Sequence, residues 1–147
     1  MDELNKRAET LRKDLAELKN KLILSECNRL GITSEQWQAV LGLNELFENH
    51  SGFFSADDLV KTAPQCHKTL ETASLALKSK ELTNQALPIM KNFSIRLYSF
   101  ERRVMCADAT AIRHEQQDSY VASAALFSLK TNTQAWLAKA NLQAAHS

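Results

Sequence analysis

Helix breakers are almost missing from this chain. Its 147 residues hold three glycines (Gly31, Gly42, Gly52) and two prolines (Pro64, Pro88), and from Ile89 to Ser147 there is neither. Tight reversals draw on glycine and proline for backbone angles that other residues reach only at a cost. So few breakers leave room for few reversals, and the sequence predicts a mainly α fold of long helices. At this length it is expected to be a single domain over residues 1–147 with a real core.

Composition narrows function mostly by exclusion. Charges nearly cancel, 18 basic against 17 acidic, so bulk electrostatics name no partner. Residues 34–54 carry three acids and no Lys or Arg, whereas residues 64–103 carry seven basic residues against three acids. That is a modest local bias toward a polyanion. Cys27, Cys66 and Cys106 are an odd, widely spaced set without CxxC or Cys/His ligand spacing. Neither a metal site nor a disulfide framework is indicated, and a reducing cytoplasm fits. No apolar run approaches a membrane span and the charged N-terminus does not read as a signal peptide, so a soluble cytoplasmic chain with no membrane partner is expected. His50, His67, His114 and His146 are scattered, and His114, Glu115 and Asp118 read best as a solvated polar turn. With no Gly-rich phosphate loop and no nucleophile elbow, neither enzyme activity nor a cofactor is expected.

The first helix is predicted over residues 2–30. Leu4, Ala8, Leu11, Leu15, Leu18 and Leu22 follow a 4-3-4-3-4 spacing, an a/d stripe of nearly three heptads. Glu9–Lys13 and Glu17–Lys21 pairs at i,i+4 support the outer faces. Such a stripe lies either on the chain's own core or against a partner helix, in this chain or a second copy. Gly31 ends the helix, and Thr33 with Gln36 forms a capping box for the next, which carries Trp37, Val40, Leu41 and Phe47.

Residues 55–82 read as two short helices around a break. Ser55 is a good N-cap with Asp57 and Asp58 in the first turn. Leu59, Val60 and Ala63 give an apolar face, and Pro64 is expected to close the helix. Leu70, Ala73 and Leu77 then share a second helical face, with His67, Lys68, Thr69, Thr72 and Lys78 around it. A helix, a break and a helix with polar and basic residues near its start is the pattern of a helix-turn-helix.

Residues 83–98 allow two readings. Phe93, Ile95 and Leu97 alternate with Ser94, Arg96 and Tyr98, which is the period of a half-buried strand. Phe93, Leu97, Phe100, Val104, Ala107 and Ala111 also keep a helical spacing. The crowding of aromatic and β-branched residues over 93–98 favours a β-hairpin. Helix resumes from Phe100, and a last Ala-rich helix over about 119–145 sets Ala122, Leu126, Leu129, Thr133, Trp136 and Ala140 in register.

This order resembles the MarR (multiple antibiotic resistance regulator) family of winged helix-turn-helix transcription factors. The opening GITSEQW of the second helix is similar to the family's start, and SADDLVKTAPQCHKT (55–69) aligns without a gap on its S-x-A-E-L…G-V-S-x-x-T pattern. Thr69-Leu70, Leu77 with Lys80-Glu81-Leu82, and Ile95 to Leu97 with Phe100-Glu101-Arg102-Arg103 extend the match. Pro64 and Glu81 replace family glycines, and the wing lacks an Asp-x-Arg-Arg. The resemblance implies five to six helices plus a small hairpin wing, with 34–99 as the winged helix-turn-helix and 1–33 with 100–147 as dimerisation helices. It further implies a homodimeric repressor-type regulator on a near-palindromic operator of double-stranded DNA. Its contacts would come from Ser55, His67, Lys68, Thr69, Thr72, Lys78, Lys91 and Arg96, with Thr69 and Thr72 exposed. Response to a small aromatic ligand or to oxidation is also implied. Cys66, beside His67 and Lys68, is the candidate redox sensor, although a small buried residue explains it better.

The rival reading is an all-helical protein-interaction module (adaptor, chaperone or antirepressor) without DNA binding. Residues 83–98 decide between them: a hairpin favours the regulator, a continuous helix the module.

Overall fold

The computed structural model describes residues 2–47, 55–105 and 116–145. Among the described residues five α-helices run in order: α1 (Asp2–Leu30), α2 (Ser34–Leu41), α3 (Ala56–Ala76), α4 (Lys80–Phe100) and α5 (Gln116–Ala145). A 3-10 turn (Leu43–Phe47) follows α2 and a π turn (Glu101–Met105) extends α4. There is no strand among the described residues.

Each boundary has a local cause. Gly31, at φ 72, sits in the left-handed region and stops α1. Its N–H donates to Asn28 O (3.3 Å) while Ile32 N–H reaches back to Cys27 O (2.8 Å), so two orphan carbonyls are met. The Thr33 box closes as the sequence predicts, with Gln36 N–H on Thr33 Oγ1 (3.1 Å) and Thr33 N–H on Gln36 Oε1 (2.9 Å). Ser55 and Asp58 cap α3 in the same reciprocal way, and Ser79 Oγ accepts from Leu82 N–H (3.3 Å) to start α4.

Two sequence expectations fail here. Pro64 does not close a helix, so the helix–break–helix is one continuous α3; Pro88 likewise lies inside α4. Both prolines are exposed, which puts the ring and the carbonyl it leaves unbonded on the solvent side. The β-hairpin wing over 83–98 is instead a stretch of α4. Leu82, Ala86, Met90, Phe93, Leu97 and Phe100 are all fully buried on one face, whereas Ile95 is 62% exposed. The strand-like alternation therefore came from one outward apolar residue, and burial of the helical face outweighed β propensity. Over the described residues a helical bundle thus stands in place of a winged helix-turn-helix.

The core lies where α5 packs along both α3 and α4. The α5 residues Ala122, Leu126, Leu129, Thr133, Trp136 and Ala140 are buried in the register that the sequence predicts. In the shared core α3 contributes small side chains such as Cys66, Ala73 and Ala76, and α4 large ones such as Phe93 and Phe100. Small residues let two helix axes approach, and the large ones fill the wider side. Trp37, Val40 and Leu43 bring α2 and its 3-10 turn onto the same core.

The C-terminal end of α3 joins the pieces. A helix leaves its last carbonyls without intrahelical partners. Leu77 N–H turns to Ser74 O (3.3 Å), and the Trp136 indole N–H donates to Ala73 O (2.8 Å). Thr83 Oγ1 donates to Ala76 O (3.0 Å), Gln143 Nε2 to Leu77 O, and Arg29 Nη2 to Lys78 O (3.2 Å). Arg29 also grips Glu26 (2.8 and 3.2 Å), a hydrogen bond that holds the Glu26 carboxyl below the usual range.

Two stability measurements check this fold. Pro88→Ala restores a backbone donor and raises stability by about 1–3 kcal/mol, read as a higher urea midpoint; a proline at a hairpin tip would gain nothing. Trp136→Phe keeps most of the ring volume but leaves Ala73 O without its indole, a loss of about 1–3 kcal/mol in the same assay.

Candidate functional site

The residues singled out for DNA contact do not gather on one probe. Ser55 is the α3 N-cap: its hydroxyl donates to Asp58 Oδ2 (2.9 Å) and accepts from Asp58 N–H (3.2 Å), while its own N–H donates to the same carboxylate (2.8 Å), so its polar groups are engaged within the capping box. Lys68 is exposed on α3, and His67 is half-buried with Nδ1 3.4 Å from Asn132 Nδ2. Lys78 stands at the far end of α3, roughly 30 Å from Ser55 by helical rise. Lys91 and Arg96 belong to α4, the first exposed and the second half-buried.

Thr69 and Thr72, expected to be exposed, are buried at 6% and 7%. Their hydroxyls donate to Gln65 O (3.0 Å) and Lys68 O (3.4 Å), one turn back on their own helix. This back-bonding satisfies a threonine inside a helix without any external partner.

Cys66 is buried as well, at 1%. Its thiol is far from the low pKa of a reactive cysteine: desolvation pushes it up to about 11. Desolvation and the neighbouring Glu26 charge also push the buried Cys27 thiol up. Cys106, His50, Phe53, Phe54, His114, Glu115 and His146 lie outside the described residues, as does the Asp118 side chain. Among the described residues no group of His, Cys, Asp and Glu is arranged to hold a metal, and no helix is long and apolar enough to cross a membrane.

What the fold leaves uncovered is the leucine face of α1. Leu4, Leu11, Leu15 and Leu18 are 61–71% exposed and Leu22 is 46% exposed. From Asp2 to Leu22 every residue is exposed except the half-buried Ala8. Among the described residues the helix is anchored by its last turns, through buried Ile23 and Cys27 and half-buried Leu30. At 1.5 Å per residue, roughly 30 Å of helix projects beyond the anchor. The anchoring face and the leucine stripe lie roughly 100° apart around the axis, at 100° per residue. The bundle therefore does not use the stripe. Taking a leucine side chain out of water gains about 1.5–3 kcal/mol, so this face carries a large unspent driving force for association.

Other exposed apolar residues escaped the sequence reading. Val121, Phe127 and Leu142 are 54–70% exposed on the outer side of α5, a helix whose inner register alone was singled out. Its apolar residues fall on both sides, and that lack of amphipathicity is the signal for them. At the base of α1 a cleft of about 370 Å³ is lined by Ile23, Leu24, Ile32, Trp37 and Leu41. Gln85 closes one side and accepts a hydrogen bond from Trp37 Nε1 (2.9 Å).

No family model matches this chain, nor does any curated protein or solved structure. The resemblance to the MarR family has only the sequence motifs behind it, and the hairpin among them is helix.

The buried thiol gives a signed pH dependence. In the unfolded chain Cys66 ionises near its ordinary value of 9, and in the folded chain only at about 11. The stability linked to this proton is whole below pH 9 and drains away as pH rises toward 11. Urea midpoints of the native protein should fall further between pH 8 and 10.5 than those of Cys66→Ala.

Proposed function

We propose that this chain is a protein-interaction module: a helical bundle that holds out an amphipathic helix for another helix to bind. The observation that carries the reading is the run of five exposed leucines on α1, set on a different face from the one that anchors the helix. A heptad stripe of this kind is completed by knobs-into-holes packing against a second amphipathic helix, on another copy or on a different chain. The unbroken α4 supports the same reading, because it takes up the residues that a DNA-reading wing would have needed.

The activity is binding rather than catalysis. We place it in the cytoplasm, where the free thiols of Cys27 and Cys66 stay reduced.

The double variant Leu11→Asp/Leu15→Asp tests the reading. Both positions are exposed, so the helical circular dichroism and urea midpoint of the bundle should stay near those of the native protein. The set of proteins co-purifying with the tagged chain, its own untagged copies included, should lose members. Identical sets for native and variant chains count against an interaction role for α1. Retention on nonspecific duplex DNA that falls steeply with salt would favour the regulator instead.

A further inference from the structure

The leucine stripe alone does not choose its occupant, because Leu4–Leu22 packs as well antiparallel as parallel. The flanking charges do choose. With Leu4, Leu11 and Leu18 at d and Ala8, Leu15 and Leu22 at a, the seam is edged by Arg7, Asp14 and Lys21 at g and by Arg12, Lys19 and Glu26 at e. In a parallel in-register pair each g residue meets the e residue five places on in the other copy. Within the stripe Asp14 then faces Lys19, opposite in charge, while Arg7 faces Arg12.

An antiparallel pair aligned on the same leucines sets g against g and e against e. Asp14 then meets its own twin, Arg12 meets its twin, and Arg7 meets Lys21. Every charged contact is repulsive.

The helix's own pairings point the same way. Asp14 and Lys19 have no opposite charge three or four residues away on their own helix, so both are left for a neighbouring helix. Arg7 and Arg12, the one like pair, each have an acid within a turn: Glu3 for Arg7 and Glu9 for Arg12. Glu26 is already held by Arg29 in its own protomer, which makes Asp14–Lys19 the deciding pair.

Resting on the interaction reading above, we infer that the occupant of the leucine face is a second copy of this chain, bound parallel and in register over residues 4–22. Beyond Leu22 the two helices part, because Ile23 and Cys27 are committed to their own bundles. Two bundles then sit side by side at one end of a short coiled coil.

The test uses the full chain in sedimentation equilibrium at low ionic strength. The native protein is a dimer. Asp14→Lys turns both Asp14–Lys19 contacts of the pair into like-charge contacts and raises the dissociation constant roughly tenfold, and Asp14→Lys/Lys19→Asp brings it back. Both positions are exposed, and unchanged circular dichroism confirms the bundle is intact. Leu4→Cys in a Cys106→Ser background gives a disulfide-linked dimer under mild oxidation, since the two new thiols are adjacent only in the parallel pair; antiparallel they stand roughly 27 Å apart.

A dimer indifferent to Asp14→Lys and without the crosslink overturns the parallel register. A native chain that stays monomeric overturns self-pairing altogether. In that event, a set of co-purifying proteins lost in Leu11→Asp/Leu15→Asp leaves the interaction reading standing with a different partner, and an unchanged set removes both.

Discussion

The carbonyls that α3 cannot satisfy by itself hold this molecule together. A helix end without partners is costly, and here Ala73 and Ala76 in the last turn, with Leu77 and Lys78 just past it, accept donors from three other helices. Trp136 and Gln143 bring the C-terminal half of α5, Thr83 the first turn of α4, and Arg29 the last turn of α1. Apolar burial drives these helices together but is indifferent to small slides along them. Directional bonds at one end fix the register, so that Ala73 and Ala76 lie under α5 where small side chains permit close approach.

Much of the helical layout was legible because its signals are local. The limits of α1, the Thr33 box, the Ser55 cap and the α5 register all follow from residues within a few positions of each other. Where local signals misled, tertiary burial had overruled them. Pro64 and Pro88 carry real breaking tendencies, but each interrupts a helix whose other face is buried over several turns. The cost of an interior proline, about 3 kcal/mol, is smaller than the gain from burying several large apolar side chains on the other face. Residues 93–98 satisfied two periods at once, and only the position of Ile95 in space separates them.

The site divides in the same way. The leucine stripe of α1 was plain in the spacing, but its being unused by the bundle was not. That depends on Ile23, Cys27 and Leu30 turning a different face inward, a choice made by the packing of α2 and α4. Thr69 and Thr72 looked like surface residues because a hydroxyl counts as polar. Inside a helix that hydroxyl is quenched by the carbonyl one turn earlier, which lets threonine behave as a small core residue. No sequence rule distinguishes the two before the neighbours are known.

The way α1 is fastened has a mechanical consequence. It is clamped over its last turns by Ile23, Cys27 and the Arg29 fork, and stopped at Gly31. The rest is a free rod about 30 Å long. Sideways excursions at its tip are scaled down along the rod, so the clamp shifts by only a small fraction of what the tip does. A sideways load at the far end reaches the clamp as a moment multiplied by the length of the rod. The few contacts of Ile23, Cys27 and Arg29 must therefore bear whatever the tip takes up.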